Sequence, residues 1–369
     1  TLVMEISRLL ALKCGIYAGA DLKGAVDQGV IRLSADATAR QLQPASLDLT
    51  LGVKAWRVRA AFLPGAGQTV EAKLASGLAM HELDLSSGAV LEKGCVYLVQ
   101  LRESLALPEG MLARANPKSS TGRIDVFVRL VTDKGVAYDT VQENYSGPLF
   151  SEISPRTFSI LVREGSSLNQ LRLRYGDATV SDADLPSIHR ETELVSRGLD
   201  AICQGLNVSV DLGDALGDVV GYRARRHTSL IDIDRIGALC PDDYFEPIPQ
   251  TSSRMLILDP DEFYILASRE ELRMPPDLAA EMVAIDADLG AFRAHYAGFF
   301  DPGFGLEAPS RAVLEIRGYD APFVIEHGQT VARLSFERLT CTPETSYGSG
   351  MKSNYQGQSL RLSKHFAMR

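Results

Sequence analysis

The sequence predicts a mainly β chain built as two tandem copies, with a few short helices and a flexible C-terminal tail. Three observations carry this expectation. The chain repeats itself: "LEKGCVYLVQLRESLALPEGMLARA" (91–115) lies over "LDPDEFYILASREELRMPPDLAAEM" (258–282) without a gap, setting Leu91 on Leu258, Tyr97 on Tyr264, Glu103 on Glu270 and Pro108 on Pro275. Downstream, "GPLFSEI" (147–153) lies over "SRAVLEI" (310–316), setting Glu152 on Glu315, and "GSSLNQLRL" (165–173) lies over "GQTVARLSF" (328–336). The offset falls from 167 to 163 between those blocks, so the second copy is four residues shorter there. Next, the copies are made of short alternating runs such as "VYLVQL", "FVRLVT", "FSILV", "FYILA" and "AVLEIRG", punctuated by Gly, Pro, Asp and Asn, which is the pattern of a sandwich or barrel. Finally, 369 residues exceed the roughly 250 to 300 that a single core fills, so two units are expected.

Taken in order, residues 1–40 read as an N-terminal segment with a helix at "ADLKGAVDQGV", and 41–185 as the first copy. Residues 186–206, "PSIHRETELVSRGLDAICQGL", carry Ile188, Leu194, Leu199, Ile202 and Leu206 at rough helical spacing before a glycine-bearing end, and read as a linker helix. The second copy is 207–345, where "NVSVDLGDALG" (207–217) weakly echoes "PASLDLTLG" (44–52). Residues 346–369, rich in Gly, Ser and Asn, form the tail.

Composition narrows the function. Hydrophobic residues make up 45% and charged residues 23%, and no uncharged apolar run approaches the ~18 residues of a membrane helix. The N-terminal stretch is broken by Glu5, Arg8 and Lys13, unlike a signal peptide, so a cytoplasmic protein with no membrane partner is expected. The five cysteines, Cys14, Cys95, Cys203, Cys240 and Cys341, show no C-x-x-C pair and are expected to be small core residues. A formal charge of −9 disfavours a nucleic-acid partner, because such binding rests on neutralising many phosphates. A small anionic ligand is compatible with that charge if a few cations are gathered locally.

"PKSSTGR" (117–123) does such gathering. It offers an ammonium, hydroxyl donors, backbone N–H groups freed by a turn, and a guanidinium, which together suit a polyphosphate. Read alone, the same peptide is equally a polar turn between strands. Zinc-dependent base deamination needs H-x-E followed by P-C-x-x-C; "HRE" at His189 has no such sequel. No H-x-x-H or H-E-x-x-H spacing, Walker A loop or G-x-S-x-G elbow is present either, and no protein-bound metal is expected.

"PKSSTGR" resembles the phosphate-binding segment of the dUTPase and dCTP deaminase superfamily. "AGFFDPGF" (297–304) resembles the nucleoside-binding hairpin of the deaminase branch, and "AVLEIRG" (312–318) its catalytic-glutamate strand. "PASLDLTLG" resembles the early strand, "GQTVARLSFERL" the last core strand, and "YQGQS" (355–359) the tail that closes over the triphosphate. The resemblance covers most of both copies, in the family's order. It implies two dUTPase-like distorted β-barrel repeats and deamination of dCTP to dUTP and ammonia. It further implies that Glu315 is the general base, with Glu152 as its counterpart in the first copy, and that Arg123 and Ser119 polarise water and substrate. Lys118, Ser120, Ala297, Asp301, Phe304, Tyr347, Lys352, Tyr355 and Gln358 would contact the nucleotide, and Mg²⁺ would enter bound to the triphosphate. The family's usual Lys directly before the tail tyrosine is Asn354 here, with Lys352 two residues earlier.

The copies differ where the chemistry lies. Repeat two has Asp286 and Asp288 in the region where repeat one has Lys118, Ser119 and Ser120, and those acids would repel phosphate. Repeat one lacks the Asp-Pro-Gly hairpin that repeat two keeps. In the superfamily the site is a seam between subunits, which implies a composite site using the phosphate segment of repeat one and the hairpin and glutamate of repeat two, in a homo-oligomer. Two rivals stand beside this reading: a dUTP diphosphatase or bifunctional enzyme, since "GVAYDTVQENYSG" (135–147) faintly resembles the diphosphatase hairpin, and an inactive nucleotide-binding regulator.

Overall fold

The computed structural model describes residues 12–34, 41–197, 202, 204–284, 292–295, 298–318, 320–345, 355 and 357–368. They fall into two compact units. Unit one is Thr1–Ala178 with Ser229–Ile236 and Leu339–Glu344; unit two is Thr179–Thr228, Gly237–Arg338 and Thr345–Arg369. Strand dominates both, and the helices are short.

Near the start of unit one, helix α1 (Gly19–Asp27) buries Leu22 and Ala25 and ends where Gly29 takes the left-handed φ of 76°. The unit's principal strands are β1 (Leu47–Asp48), β2 (Leu51–Val58), β3 (Ala79–Asp84), β4 (Ala89–Leu91), β5 (Val96–Ala106), β6 (Met111–Pro117), β7 (Val126–Thr132), β8 (Thr140–Val141), β9 (Ser146–Pro155), β10 (Ile160–Val162) and β11 (Asn169–Tyr175), and the two-residue strands Gly15–Ile16, Ile31–Arg32 and Ile231–Asp232 pair with β11, β5 and β10. One sheet runs β3-β2-β5-β9-β7; in a second, β11 holds β1 and β6, and β6 holds β8; β4 and β10 form a ribbon.

Unit two repeats that order. Its strands are β12 (Leu206–Ser209), β13 (Val219–Ala224), β14 (Phe245–Pro249), β15 (Met255–Leu258), β16 (Phe263–Leu272), β17 (Leu278–Ala284), β18 (Phe292–His295), β19 (Phe299–Phe300), β20 (Ser310–Gly318), β21 (Phe323–Glu326) and β22 (Thr330–Arg338). The sheets run β14-β13-β16-β20-β18 and β12-β22-β17-β19, with β15 and β21 as the ribbon. Each strand corresponds to the one numbered eleven lower, and the sequence offsets hold: β5 starts at Val96 and β16 at Phe263, while β9 ends at Pro155 and β20 at Gly318. The weak upstream echo is resolved by pairing. Leu47 lies opposite Leu171, and Leu206 opposite Leu334, so Leu47 corresponds to Leu206 and Asp48 to Asn207.

A carboxylate, buried at Glu103 and half-buried at Glu270, ties down the first strand region in each unit. Glu103 accepts from Thr50 N at 2.9 Å and Thr50 Oγ1 at 2.5 Å; Glu270, its repeat partner, accepts from Ser209 N at 2.9 Å and Ser209 Oγ at 2.5 Å. Charge-assisted bonds of this kind make burial of the acid affordable. The apolar core of unit two gathers Leu206, Val208, Leu266, Leu314, Leu334 and Phe336; in unit one Val58, Leu98, Val131 and Phe150 pack together.

Three expectations are corrected. The linker helix stops early: α3 covers Leu185–Glu191, and Thr192 is already extended at φ −132°. Leu194 and Val195 are both buried beyond the end of that helix, and Val195 bridges to Leu272. The described end of the tail is packed, because Phe366 meets Tyr244 and Phe245 edge-on at 5.3 and 5.4 Å and bridges Leu239. The four described cysteines are not core residues: Cys14 and Cys240 are exposed and Cys95 and Cys341 half-buried, while Cys203 lies outside the described residues. Among the described residues no helix is long and apolar enough to cross a membrane.

Candidate active site

In unit one the phosphate-type segment forms because β6 runs into Pro117, which has no N–H for the ladder, and the chain turns. The turn is a four-residue helix, α2 (Ser119–Gly122), in which Lys118 O accepts from Thr121 N and Gly122 N at 2.8 and 3.0 Å. It brings Lys118, Ser119, Ser120 and Arg123 together. Ser120 and Arg123 are 5% and 3% exposed, and Thr121 donates to Leu168 O at 2.7 Å. Lys118 Nζ is paired with Asp48 and lies 3.4 Å from Ser167 Oγ. A phosphate reaching Lys118 therefore competes with a carboxylate already there. Sequence reading missed Asp48; the signal available was the strand "SLDL", whose aspartate falls on an asparagine in the second copy.

Glu152 sits on β9 with its Cα opposite Leu98 of β5 and Arg129 of β7. It is 4% exposed, and both oxygens are engaged. Oε1 takes the Arg129 fork through Nη2 and through Nε at 3.1 Å; Oε2 accepts from the Tyr138 hydroxyl at 3.2 Å and Phe62 N at 3.3 Å. The Arg129 guanidinium also stacks 3.7 Å over the Tyr138 ring. Burial first, and then the Glu152 charge, push the Tyr138 phenol up to about 12, so it stays a neutral donor.

Glu315 holds the corresponding place in unit two. Its Cα lies opposite Ile265 of β16 and His295 of β18, and it is 5% exposed. Arg317, two residues on and on the same face, is also buried and donates to Asp261 O. Where Glu152 has an arginine across the strand pair, Glu315 has a histidine. The Asp301-Pro-Gly turn is built tightly: Phe304 N donates to Asp301 O at 3.2 Å, Met274 N to Phe304 O at 2.7 Å, and the Phe304 ring packs on Phe300 at 5.1 Å. Gly305 follows at φ 73°, where a Cβ would lie 1.9 Å from Leu272 O, so only glycine fits.

Of the tail residues, Tyr355 is buried and its hydroxyl accepts from Lys364 N at 3.1 Å. Gln358 is buried and exchanges bonds with Arg311, Nε2 donating to Arg311 O at 2.9 Å and Arg311 N to Gln358 O at 2.9 Å. It anchors the tail four residues before Glu315. Ala297, Tyr347 and Lys352 lie outside the described residues.

Strand pairing exposes one more correspondence. Thr140 lies opposite Arg114, and Phe299 opposite Glu281, its repeat partner. Tyr138, two residues before Thr140, thus matches in sequence Ala297, two residues before Phe299. A phenol bonded to the glutamate stands in the first copy where the second has a methyl side chain.

Both halves of the chain match known families. Residues 13–177 match the family described as 2'-deoxycytidine 5'-triphosphate deaminase (DCD) N-terminal domain, and 181–366 its C-terminal domain. A curated relative from Kocuria rhizophila, named "dCTP deaminase, dUMP-forming", is 32% identical over 134 residues, 34% of this chain and 60% of the relative. One of the same name from Beutenbergia cavernae is 31% identical over 154 residues, 38% of this chain and 74% of the relative. A "dCTP deaminase" from Natronomonas pharaonis is 30% identical over 121 residues, 32% of this chain and 60% of the relative. The crystal structure of 2'-deoxycytidine 5'-triphosphate deaminase from Agrobacterium tumefaciens aligns with a TM-score of 0.86 and 48% identity, covering 90% of this chain and all of that one. With both halves matched in order, the chain belongs to the dCTP deaminase family of enzymes.

Proposed function

We propose that this chain deaminates dCTP to dUTP and ammonia, with Glu315 as the general base. Water adds to C4 of the cytosine ring while Glu315 takes one of its protons. The carboxyl returns that proton to ring N3, and the second water proton leaves with the C4 amine, so that one water is consumed and one ammonia released. Arg123 and Ser119 polarise the attacking water and substrate; Lys118 and Ser120 hold the triphosphate, which brings Mg²⁺ with it as part of the substrate. Ala297, Asp301 and Phe304 hold the nucleoside. Tyr347, Lys352 and Tyr355 cover the phosphates, while Gln358 fixes the tail to the start of the glutamate strand. Each unit is read as a distorted barrel of the superfamily, in a cytoplasmic homo-oligomer.

The choice of Glu315 over Glu152 rests on one observation. Glu152 has spent its oxygens on Arg129, Tyr138 and Phe62 N, which leaves no lone pair positioned to take a proton from water. Tyr138 fills the first copy's place for the ring. The test is an assay of the purified chain with dCTP and, separately, dUTP. Ammonia and dUTP from dCTP, with no pyrophosphate from dUTP, is the expected result. Pyrophosphate from dUTP would assign the dUMP-forming reaction named for two of the relatives, and no ammonia would overturn the proposal.

A further inference from the structure

The two copies also differ at an arginine remote in sequence from the motifs above. In unit one Arg102 on β5 lies 4.0 Å from Glu164, in the turn after β10. The repeat offsets place Arg269 and His327 at these positions in unit two, and the backbone agrees: Gly165 N donates to Leu51 O at 2.8 Å, and Gly328 N donates to Val210 O at 2.9 Å. The arginine has been kept and its carboxylate lost.

What remains around Arg269 is cationic. Its Nε is buried with no hydrogen-bond partner, and Nη1 would lie only 2.7 Å from a Cβ on Gly328, so the guanidinium rests against the bare backbone of that turn. A buried donor without an acceptor is costly, and a bound acceptor would relieve it. Asp211, which lies against His327, is already taken: Oδ2 accepts from Arg311 Nη1 at 2.6 Å, and Oδ1 from Gly213 N at 2.9 Å. His327 Nδ1 lies 3.3 Å from that same Oδ1 and accepts from Leu212 N at 3.1 Å, which leaves the ring proton on Nε2 as a further donor. Burial first, and then the Arg269 charge, hold the imidazole below its usual value, with Arg254 and Arg197 adding to the positive field. Arg254 is itself paired with Asp214 at 2.6 Å, whereas Arg269 is in no ion pair among the described residues.

We propose that Arg269 and His327 form a binding site for a small oxyanion of the phosphate class, distinct from the Lys118–Arg123 segment. A guanidinium and an imidazole N–H supply donors, and local charge opposes the net charge of −9 that would otherwise repel such an ion. The proposal does not depend on which glutamate is the base.

The full chain tests it, with the His327 Cε1–H resonance as reporter, assigned by its loss in His327→Gln. Inorganic phosphate and, in a second arm, deoxyribose 5-phosphate are titrated at constant ionic strength; the tighter binder tells a free ion from a phosphate carried on a sugar. The resonance should shift saturably with at least one probe, and Arg269→Gln should weaken that binding roughly tenfold or more. His327→Glu, which restores the pair found in unit one, should abolish phosphate binding measured by calorimetry while the thermal unfolding temperature is kept or raised. Turnover of dCTP by Arg269→Gln should be unchanged. A resonance that ignores both probes, or that shifts equally in Arg269→Gln, overturns the site.

Discussion

The first unit and the second share a strand order and a buried glutamate on the same strand, yet the residues paired across from that glutamate differ. Glu152 is closed off by Arg129, Tyr138 and a backbone N–H. Glu315 keeps its buried place on β20 with a histidine across the pair and an alanine at the position matching Tyr138. The phosphate segment shows the reverse allocation. Unit one keeps Lys118 against Asp48, and the second copy has Asn207 matching that aspartate and Ile285 in place of the lysine. Charge and counter-charge were lost together, as expected when an unpaired buried charge costs more than removing both partners. A duplicated chain can divide one site's work this way: each copy keeps the half it uses and converts the other into packing.

Substitutions at five positions, Glu315, Glu152, Lys118, Arg129 and Tyr138, test this division between the copies. The largest effect is expected at Glu315→Gln, which should lower kcat for ammonia release by roughly 10²- to 10⁴-fold with binding of dCTP retained, whereas Glu152→Gln should leave kcat near wild type. Equal losses in both would erase the distinction between the copies. Lys118→Met should raise KM for dCTP roughly tenfold to a hundredfold with a smaller change in kcat, as expected for loss of a charge-assisted contact to phosphate. If KM stays put, the segment is a turn and no cradle. Arg129→Met strands the Glu152 carboxylate and should cost about 2 kcal/mol in denaturant unfolding, discounted because the arginine is about a third exposed. The double variant Arg129→Met with Glu152→Leu should recover most of that loss, and failure to recover would mean that the pair is not what holds this region.

Tyr138→Phe carries the smallest effect and a pH signature. The phenol's folded pKa of about 12 lies above its ordinary 10, so its contribution to stability is whole below pH 10 and lost as pH rises through 12. Wild type should therefore lose stability over that window by more than Tyr138→Phe does. Identical curves would mean that Tyr138 does not favour its neutral form on folding.

Much of this was legible beforehand. A gapless repeat at one offset and then another carried the strand plan, because side-chain alternation and turn residues are local properties that duplication copies. "PKSSTGR" and "VLEI" are the two segments from which the proposed site is drawn. What could not be read were contacts made across strands. Arg129 and Glu152 are 23 residues apart with nothing between them to announce a pair, and only the register of β7 on β9 brings them together. The linker misled because apolar residues spaced at six, five, three and four imitate a helix only loosely; Leu194 and Val195 fill the core from an extended segment. The tail looked loose by composition, and a few aromatic contacts by Phe366 outweigh that composition.

The central claim is that the pyrimidine is processed beside Glu315 and never beside Glu152. A crystal structure of the Glu315→Gln chain grown with dCTP and Mg²⁺ tests it most directly. The account predicts a cytosine ring with C4 facing residue 315 and a triphosphate on Lys118 and Arg123, while Tyr138 keeps its bond to Glu152. A cytosine ring lodged against Glu152, with Tyr138 displaced, would contradict it.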